Sequence, residues 1–445
     1  MKKTLSVTAV AAAIALSLTA CGGGATAAAE GEISYWLWDS NQLPAYQQCA
    51  TDFHTANPEL SVKITQRGWA DYWSTLTNAF VAGTAPDVFT DHLTKFPDFV
   101  AKKQVLPLDD AVKSGNIDTA QYIDGLADLW VGQDGKRYGL PKDWDTVGMF
   151  YNKAMTEDAG ISDEQMNTLA WNHTDCGTYE KAIAHLTVDK SGKRGDEAGF
   201  DKKNVAVYGL GLNGSGSAQG QTEWSFLTGT IGWTHTDKNP WGTVYNFDDP
   251  KFQETIAWWA SLVEKGYMPK LETTVGAAMP DTFGASKSAI NTNGDWTIGQ
   301  YTSLKDLKVG IAPTPIGADG KRSSMFNGLA DSISSDTKNP EGAAKWVQYL
   351  ASSACQDVVA AKAVVFPAIK TSSDIAEKAF AEKGTDVSAF TQHIKDGSTF
   401  LFPITDNAAK VEAIMAPAMD AVVSGKSPAS SLTGANTQVN ELFTK

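Results

Sequence analysis

The chain has 445 residues and a formal net charge of −14 at pH 7. That charge excludes nucleic acid as a partner, because nucleic acid needs a basic footprint. The length is more than one compact core organises, so two domains are expected.

In chain order, the first feature is a leader. Lys2 and Lys3 precede an apolar, Ala-rich run from Val7 to Leu18, too short for a membrane span. Leu18-Thr19-Ala20-Cys21 follows as a lipobox, so residues 1–20 are expected to be a signal peptide and Cys21 a lipidated N-terminus. Residues 21–30 (CGGGATAAAE) then form a flexible tether. The expected location is extracytoplasmic, with the lipid anchoring the chain to the outer face of the cell membrane. Of the remaining cysteines, Cys49, Cys176 and Cys355, at most two can pair within the chain; which pair, or whether all stay free, is open.

Glu32–Trp38 alternates as a strand, and Pro44–Asn57 has a helical face closed by Pro58. Ser61–Gln66 alternates again, Asp71–Ala82 reads as a helix with Asp71 as N-cap, and Ala85–Thr90 reads as a buried strand. This β-α-β-α-β opening is the pattern of a parallel sheet flanked by helices, in which ligands bind beyond the carboxyl ends of strands. Those ends deliver Trp36, Trp38 and Asp39, then Trp69 and Trp73, then Asp91 and His92.

Helices are expected over Lys95–Lys103 and Leu108–Ser114, and Lys142–Tyr151 reads as one strand leaving the first domain. Further helices are expected over Thr178–Val188, Pro250–Lys265, Pro340–Leu350 and Asn407–Val423, and a strand over Lys308–Ala312.

Fourteen Trp stand in this chain, many beside Asp, Asn or Gly: WLWD, GWADYW, DWD, GWTH, PWG, GDW. A flat indole covers the C–H face of a pyranose while the polar neighbour bonds its hydroxyls. The competing reading makes some of these rings core. Asp143 and Asp145, at i,i+2 on a strand, face the same way and suit sugar hydroxyls; a salt bridge at a domain crossing is the plainer alternative.

Other motifs fail on context. Gly209-Leu210-Gly211-Leu212-Asn213-Gly214 matches G-x-G-x-x-G, but a loop follows instead of a helix, so no dinucleotide cofactor is expected, though the loop could approach a ligand closely. No zinc spacing, EF-hand or G-x-S-x-G elbow is present, and no metal is expected.

Taken together, the lipobox, the WLWD start, Pro86-Asp87-Val88-Phe89, Gly139-Leu140-Pro141 running into Phe150-Tyr151-Asn152-Lys153, Asn293-Gly294-Asp295-Trp296 and Asn339-Pro340-Glu341-Gly342-Ala343-Ala344-Lys345-Trp346 resemble, in that order, the extracellular solute-binding proteins of carbohydrate ABC transporters, the maltose-binding-protein-like receptors. The resemblance covers nearly the whole mature chain. It implies an α/β fold of two lobes, each a mixed, mostly parallel sheet flanked by helices, joined by a multi-strand hinge that closes on ligand. Carried over, residues 31–141 plus 312–351 form the first lobe and 142–311 plus 352–445 the second. It also implies a ligand-binding role for Asp145 and a stacking role for Trp296.

The expected ligand-binding set is therefore Trp36, Trp38, Asp39, Trp69, Trp73, Asp91, His92, Asp143, Trp144, Asp145, Trp224, Asp295, Trp296, Asn327 and Phe366. The expected function is that of a monomeric, non-enzymatic lipoprotein that captures an oligosaccharide and hands it to the membrane subunits of an ABC permease. Two rivals stand beside it: a receptor for a non-sugar solute such as a polyamine or peptide, and an anchored glycoside hydrolase, which would need two carboxylates facing each other across the scissile bond.

Overall fold

A computed structural model describes residues 31–274 and 276–444; the leader and Cys21 lie outside the described residues. Two sheets organise them. The first takes strands β1 (Glu32–Leu37), β2 (Ser61–Gln66), β3 (Val88–His92) and β4 (Leu140–Asp145). The second takes β5 (Val147–Asn152), β6 (Val188–Asp189), β7 (Val205–Leu210), β8 (Ser288–Gly294) and β9 (Val309–Pro313). The chain then returns to the first sheet with β10 (Ser324–Ile333), β11 (Phe366–Pro367) and β12 (Thr399–Leu401). Strand order is β11-β4-β10-β3-β1-β2 in the first sheet, with β12 beside β10, and β6-β7-β8-β5-β9 in the second.

The opening is β-α-β-α-β as the periodicity predicts. Helix Leu43–Ala56 carries Pro44 in its first turn, where the missing N–H is harmless, and buries Ala45, Tyr46, Cys49 and Phe53. Helix Trp69–Ala82 is capped at Gly68, three residues before the expected Asp71 cap, and so turns Trp69 and Trp73 onto successive turns of one face. Helix Pro340–Leu350 begins where the Asn339 side chain accepts from the Gly342 N–H at 2.9 Å.

Parallel pairing is less extensive than expected. β1 runs parallel to β2 and β3, and β10 to β12, but β10 is antiparallel to both β3 and β4. In the second sheet only β7 and β8 are parallel; β5 is antiparallel to β8 and β9. The cause is the crossing itself. A strand arriving from the other sheet enters at the edge facing the gap and runs away from it, against neighbours whose carboxyl ends point into the gap.

Chain crossings also fall differently from the sequence expectation. The strand read as Lys142–Tyr151 is two strands: β4 keeps first-sheet pairing through Asp145, and β5 joins the second sheet from Val147. The return lies between Pro313 and Ser324. Past residue 352, helices Ser353–Lys362 and Lys370–Glu382 pack with β11 and helix Leu43–Ala56 on the first sheet, while helices Ala408–Val423 and Leu432–Glu441 pack with helix Pro250–Glu264 on the second.

Cys49 and Cys355 form a disulfide that ties helix Leu43–Ala56 to helix Ser353–Lys362, 306 residues apart. Both lie in one buried cluster with Tyr35, Phe53 and Trp346. Cys176 is free, and burial raises its thiol to about 11.

Behind the first sheet lies a polar network. Lys142 Nζ donates to Thr90 Oγ1 at 3.0 Å and to Tyr35 Oη at 3.2 Å, over the Tyr46 ring, and Tyr35 donates to Asp331 at 2.7 Å. Asp91, expected to touch ligand, is fully buried on the opposite face of β3 from this network, beside Ser332, because successive strand residues face opposite ways and both Thr90 and His92 face the other side. Its carboxyl accepts the His92 N–H at 2.7 Å and sits 3.2 Å from Ser332 Oγ, whose single proton has a closer acceptor, the Tyr138 carbonyl at 2.8 Å. The arrangement suits a protonated Asp91 donating to Ser332, and burial indeed raises its pKa to about 8.

Two outcomes follow from these features. Replacing both Cys49 and Cys355 by Ser removes a long loop constraint and is expected to lower stability by about 2–4 kcal/mol in denaturant titrations. Asp91 binds its proton more tightly folded than unfolded, so its contribution is full at acid pH and fades as pH rises through about 8. Asp91→Asn, an isosteric donor, therefore melts higher than the parent at pH 9, with the difference shrinking at pH 5; equal shifts at both pH values would refute the assignment.

Candidate functional site

Between the carboxyl ends of the two sheets lies a cavity of about 1020 Å³. It is at the upper end of the range of ligand pockets. Three kinds of surface line it.

The first is aromatic and belongs to the first sheet. Trp38 follows the end of β1, Trp69 and Trp73 come from the helix after β2, and His92 ends β3. Trp38 sits 5.1 Å from Trp69 and 5.3 Å from Trp73 between ring centroids, and Trp69 lies 5.4 Å from Trp73, edge to face. Such packing holds each indole rigid by its neighbour's edge. His92 abuts Trp69 at 5.5 Å and Phe402 at 5.4 Å. Burial lowers His92 to about 3, so the ring is neutral at physiological pH. Trp69 remains 49% exposed and offers its face to the opening.

The second surface is acidic and belongs to the crossing. Asp143 and Asp145 end β4 on one face, and Asp295 follows β8. Asp143 accepts the Leu329 N–H at 3.2 Å and the Gln42 amide at 3.4 Å. Asp145 accepts from Gln221 at 2.6 Å and from Asn327 at 3.1 Å. Asp295 accepts the Thr146 N–H at 3.2 Å through one oxygen, and its other oxygen has no partner among the described residues. Burial pushes Asp143 up to about 6; Asp145 and Asp295 are raised further by burial, Asp145 also by the Asp143 charge and Asp295 by the Asp145 charge. Asp39 is raised too, by burial.

The third surface comes from the second sheet. Trp296 lies folded over Gly294, where any Cβ would overlap the ring, and it packs against the first sheet's core. The loop after β7, residues 213–223, supplies Asn213, Gln221 and Glu223. Farther along, helix Ala408–Val423 presents Ala408, Glu412 and Ala416 at four-residue spacing.

Of the expected residues, Trp38, Asp39, Trp69, Trp73, His92, Asp143, Trp144, Asp145, Asp295, Trp296 and Asn327 line this cavity. Trp144 does so from behind, since it alternates with Asp143 and Asp145: its indole N–H donates to Ser373 at 3.0 Å and its ring stacks on Phe366 at 4.7 Å. Four residues are corrected. Phe366 is fully buried in that stack. Trp36, one residue before the end of β1, lies under the Arg67 guanidinium at 4.7 Å. Asp91 faces the hidden side of β3. Trp224 is fully buried beneath the 213–223 loop, donating to the Ser215 carbonyl at 3.1 Å. Gly220, at φ +58°, lies on its ring so closely that a Cβ would overlap it. Trp224 shapes the loop from below.

Sequence reading missed Gln42, Gln221, Glu223 and Phe402. Gln42 lies just after the WLWD strand end and Gln221 in the glycine-rich loop, so proximity to recognised segments was the available signal; Phe402 carried none.

Comparison with known proteins places this geometry. The chain is 29% identical over 178 residues to the lactose-binding protein of Rhizobium radiobacter, a segment covering 39% of each chain, so it spans well under half the length of that relative. It is 26% identical over 308 residues to the maltodextrin-binding protein of Bacillus subtilis, covering 68% of this chain and 65% of that one. Among solved structures, the substrate-binding protein of an ABC transporter from Listeria monocytogenes, in complex with cycloalternan, superposes with a TM-score of 0.79 at 18% identity, covering 93% of this chain and 98% of that one. With residues 39–357 matching the model of the bacterial extracellular solute-binding proteins, the chain belongs to that family.

Proposed function

We propose that the protein is a lipid-anchored receptor that captures an oligosaccharide between its two lobes and delivers it to an ABC permease. The observation that carries this reading is the opposition of a rigid Trp38–Trp69–Trp73 wall to Asp143, Asp145 and Asp295 across one cavity. Indole faces take the apolar side of a sugar ring, each worth about 0.5–1.5 kcal/mol beyond area burial. Carboxylates and amides at the crossing take its hydroxyls, and each buried hydroxyl left unpaired would cost about 1–3 kcal/mol. Relatives named for lactose and maltodextrin support a saccharide ligand.

The lobes are those the sheets define, and the hinge is the set of crossings at Thr146, between Pro313 and Ser324, and after Glu382. Asp145 sits on the hinge and bonds Gln221 of the other lobe, so a ligand that engages Asp145 acts on closure directly. The lipobox at Cys21 would hold the receptor at the outer membrane face beside its permease.

Asp143 and Asp145 share one strand face, which suits hydrogen bonding of one ring better than hydrolysis of a bond between two. Incubation with candidate oligosaccharides is expected to yield no cleavage products. In calorimetry against an oligosaccharide panel, Trp69→Ala and Trp296→Ala each weaken binding about tenfold or more, while circular dichroism and melting stay near the parent for the half-exposed Trp69. Unchanged affinity in both variants would remove the stacking assignment.

A further inference from the structure

The floor of the cavity has an unusual balance of hydrogen-bonding groups. Asp39, Asp143, Asp145, Glu223, Asp295, Glu412 and Asp420 line the cavity, and Lys95 is the one lysine or arginine beside them among the described residues. Lys95 Nζ stands over the Trp73 ring at 5.7 Å, at the aromatic end. The nearest buried lysine, Lys142, spends its protons behind the sheet on Thr90 and Tyr35. None of Asp143, Asp145 and Asp295 has a salt-bridge partner among the described residues.

Polar atoms left without a partner sharpen this imbalance. On the floor they are Gln42 Oε1, Asp295 Oδ1 and Asn327 Oδ1, on side chains only 0–3% exposed. Gln42 Oε1 and Asn327 Oδ1 are acceptors, and Asp295 Oδ1 is one when its carboxyl is ionised. Their orientation is set by the donors beside them: the Gln42 amide nitrogen is turned to Asp143, and the Asn327 amide nitrogen to Asp145. A neutral sugar hydroxyl brings one proton and two lone pairs, so it satisfies one acceptor at a time and adds lone pairs to a floor already rich in them. An ammonium group brings three donors and no acceptor, and it adds to the floor a positive charge beside that of Lys142, which already lowers the Asp143 proton affinity without touching it.

We infer that the captured saccharide carries a protonated amine, seated on Asp295, Gln42 and Asn327 beside Asp143 and Asp145, while its neighbouring ring stacks on the Trp38–Trp69–Trp73 wall. The contact chain from wall to floor is short: Trp38 to His92 is 6.4 Å between rings, His92 Nε2 to the Asn327 amide is 3.3 Å, and that amide to Asp145 is 3.1 Å. The fitting class is therefore an amino sugar within an oligosaccharide. This inference rests on the saccharide reading above and narrows it.

Calorimetry with matched pairs tests it: glucosamine oligosaccharides against their N-acetylated counterparts of equal length, with maltotriose and spermidine as further probes. The free amines are expected to bind about tenfold or more tighter than their acetylated partners at pH 6, since a desolvated charge pair discriminates strongly against its neutral analogue. Raising the pH until the amine loses its proton should erase that ratio in the unmodified protein. Asp295→Asn should draw the ratio toward one; because that variant could fold poorly, the pH series on the parent protein decides independently. Acetylated or wholly neutral saccharides binding as tightly as the amines would overturn the inference and leave the saccharide receptor standing. Spermidine binding with no saccharide binding would instead overturn the receptor's saccharide reading while keeping its demand for a cation. Binding of no probe would count against both.

Discussion

Everything at this site depends on one geometric constraint: the chain passes between its sheets at the edge that lines the cavity. A strand that crosses must give up sheet hydrogen bonds for a residue or two, and the backbone groups so released need partners inside the protein. Thr146 is that residue between β4 and β5, and its N–H is taken by Asp295 from the end of β8. The crossing therefore needs an acceptor at this point, and Asp295 supplies it. Because β4 brings Asp143 and Asp145 to the same edge, an acidic floor is an outcome of the crossing as well as of ligand chemistry.

Burying three carboxylates together is costly in a medium that screens poorly. Backbone and amide donors offset part of the cost, as with Leu329 on Asp143 and with Gln221 and Asn327 on Asp145. The remainder shows as raised proton affinity. A floor of this kind lowers its energy by accepting protons or donors from whatever fills the gap. The aromatic wall has a different economy. Trp69 packs edge to face on both Trp38 and Trp73, which are tilted against each other, so the three rings hold their places without rearrangement.

Much of this was legible in the sequence wherever a local pattern decided the outcome. The alternation of Glu32–Trp38 and Ser61–Gln66, the Pro44 and Asn339 helix starts and the strand-end positions of Trp38 and His92 all follow from periods of two or 3.6. The failures share a cause as well. Trp36 and Asp91 sit at strand ends by residue number, but one lies a pleat too deep and the other faces the wrong side. Trp224 stands in a loop-like string of Gly and Ser, yet those glycines exist so that the loop can lie on it. Phe366 belongs to a two-residue strand whose partner, β4, is more than two hundred residues earlier. Neither pleat depth nor distant pairing leaves a periodic trace. The break at Thr146 was invisible for the same reason: β4 and β5 together read as one strand, and only their different partners divide them.

The two lobes divide the work of recognition according to how each is built. The first lobe places its aromatic residues on regular elements, a strand end and the first two turns of a helix, where packing fixes them to within a rotamer. The second lobe offers mostly loop: residues 213–223 carry Gly214, Gly216 and Gly220, and are held by Trp224 from beneath. A loop on a rigid aromatic base can adjust its backbone without losing its anchor, because the bond from the Trp224 indole to Ser215 and the contact with Gly220 lie at its two ends. Gln221, one residue beyond Gly220, is the group that reaches across to Asp145. The adjustable part of the site is thus tied directly to the carboxylate that sits on the hinge. A ligand that competes for Asp145 must displace or share Gln221, and in doing so it reports its presence to the loop and to the crossing at once.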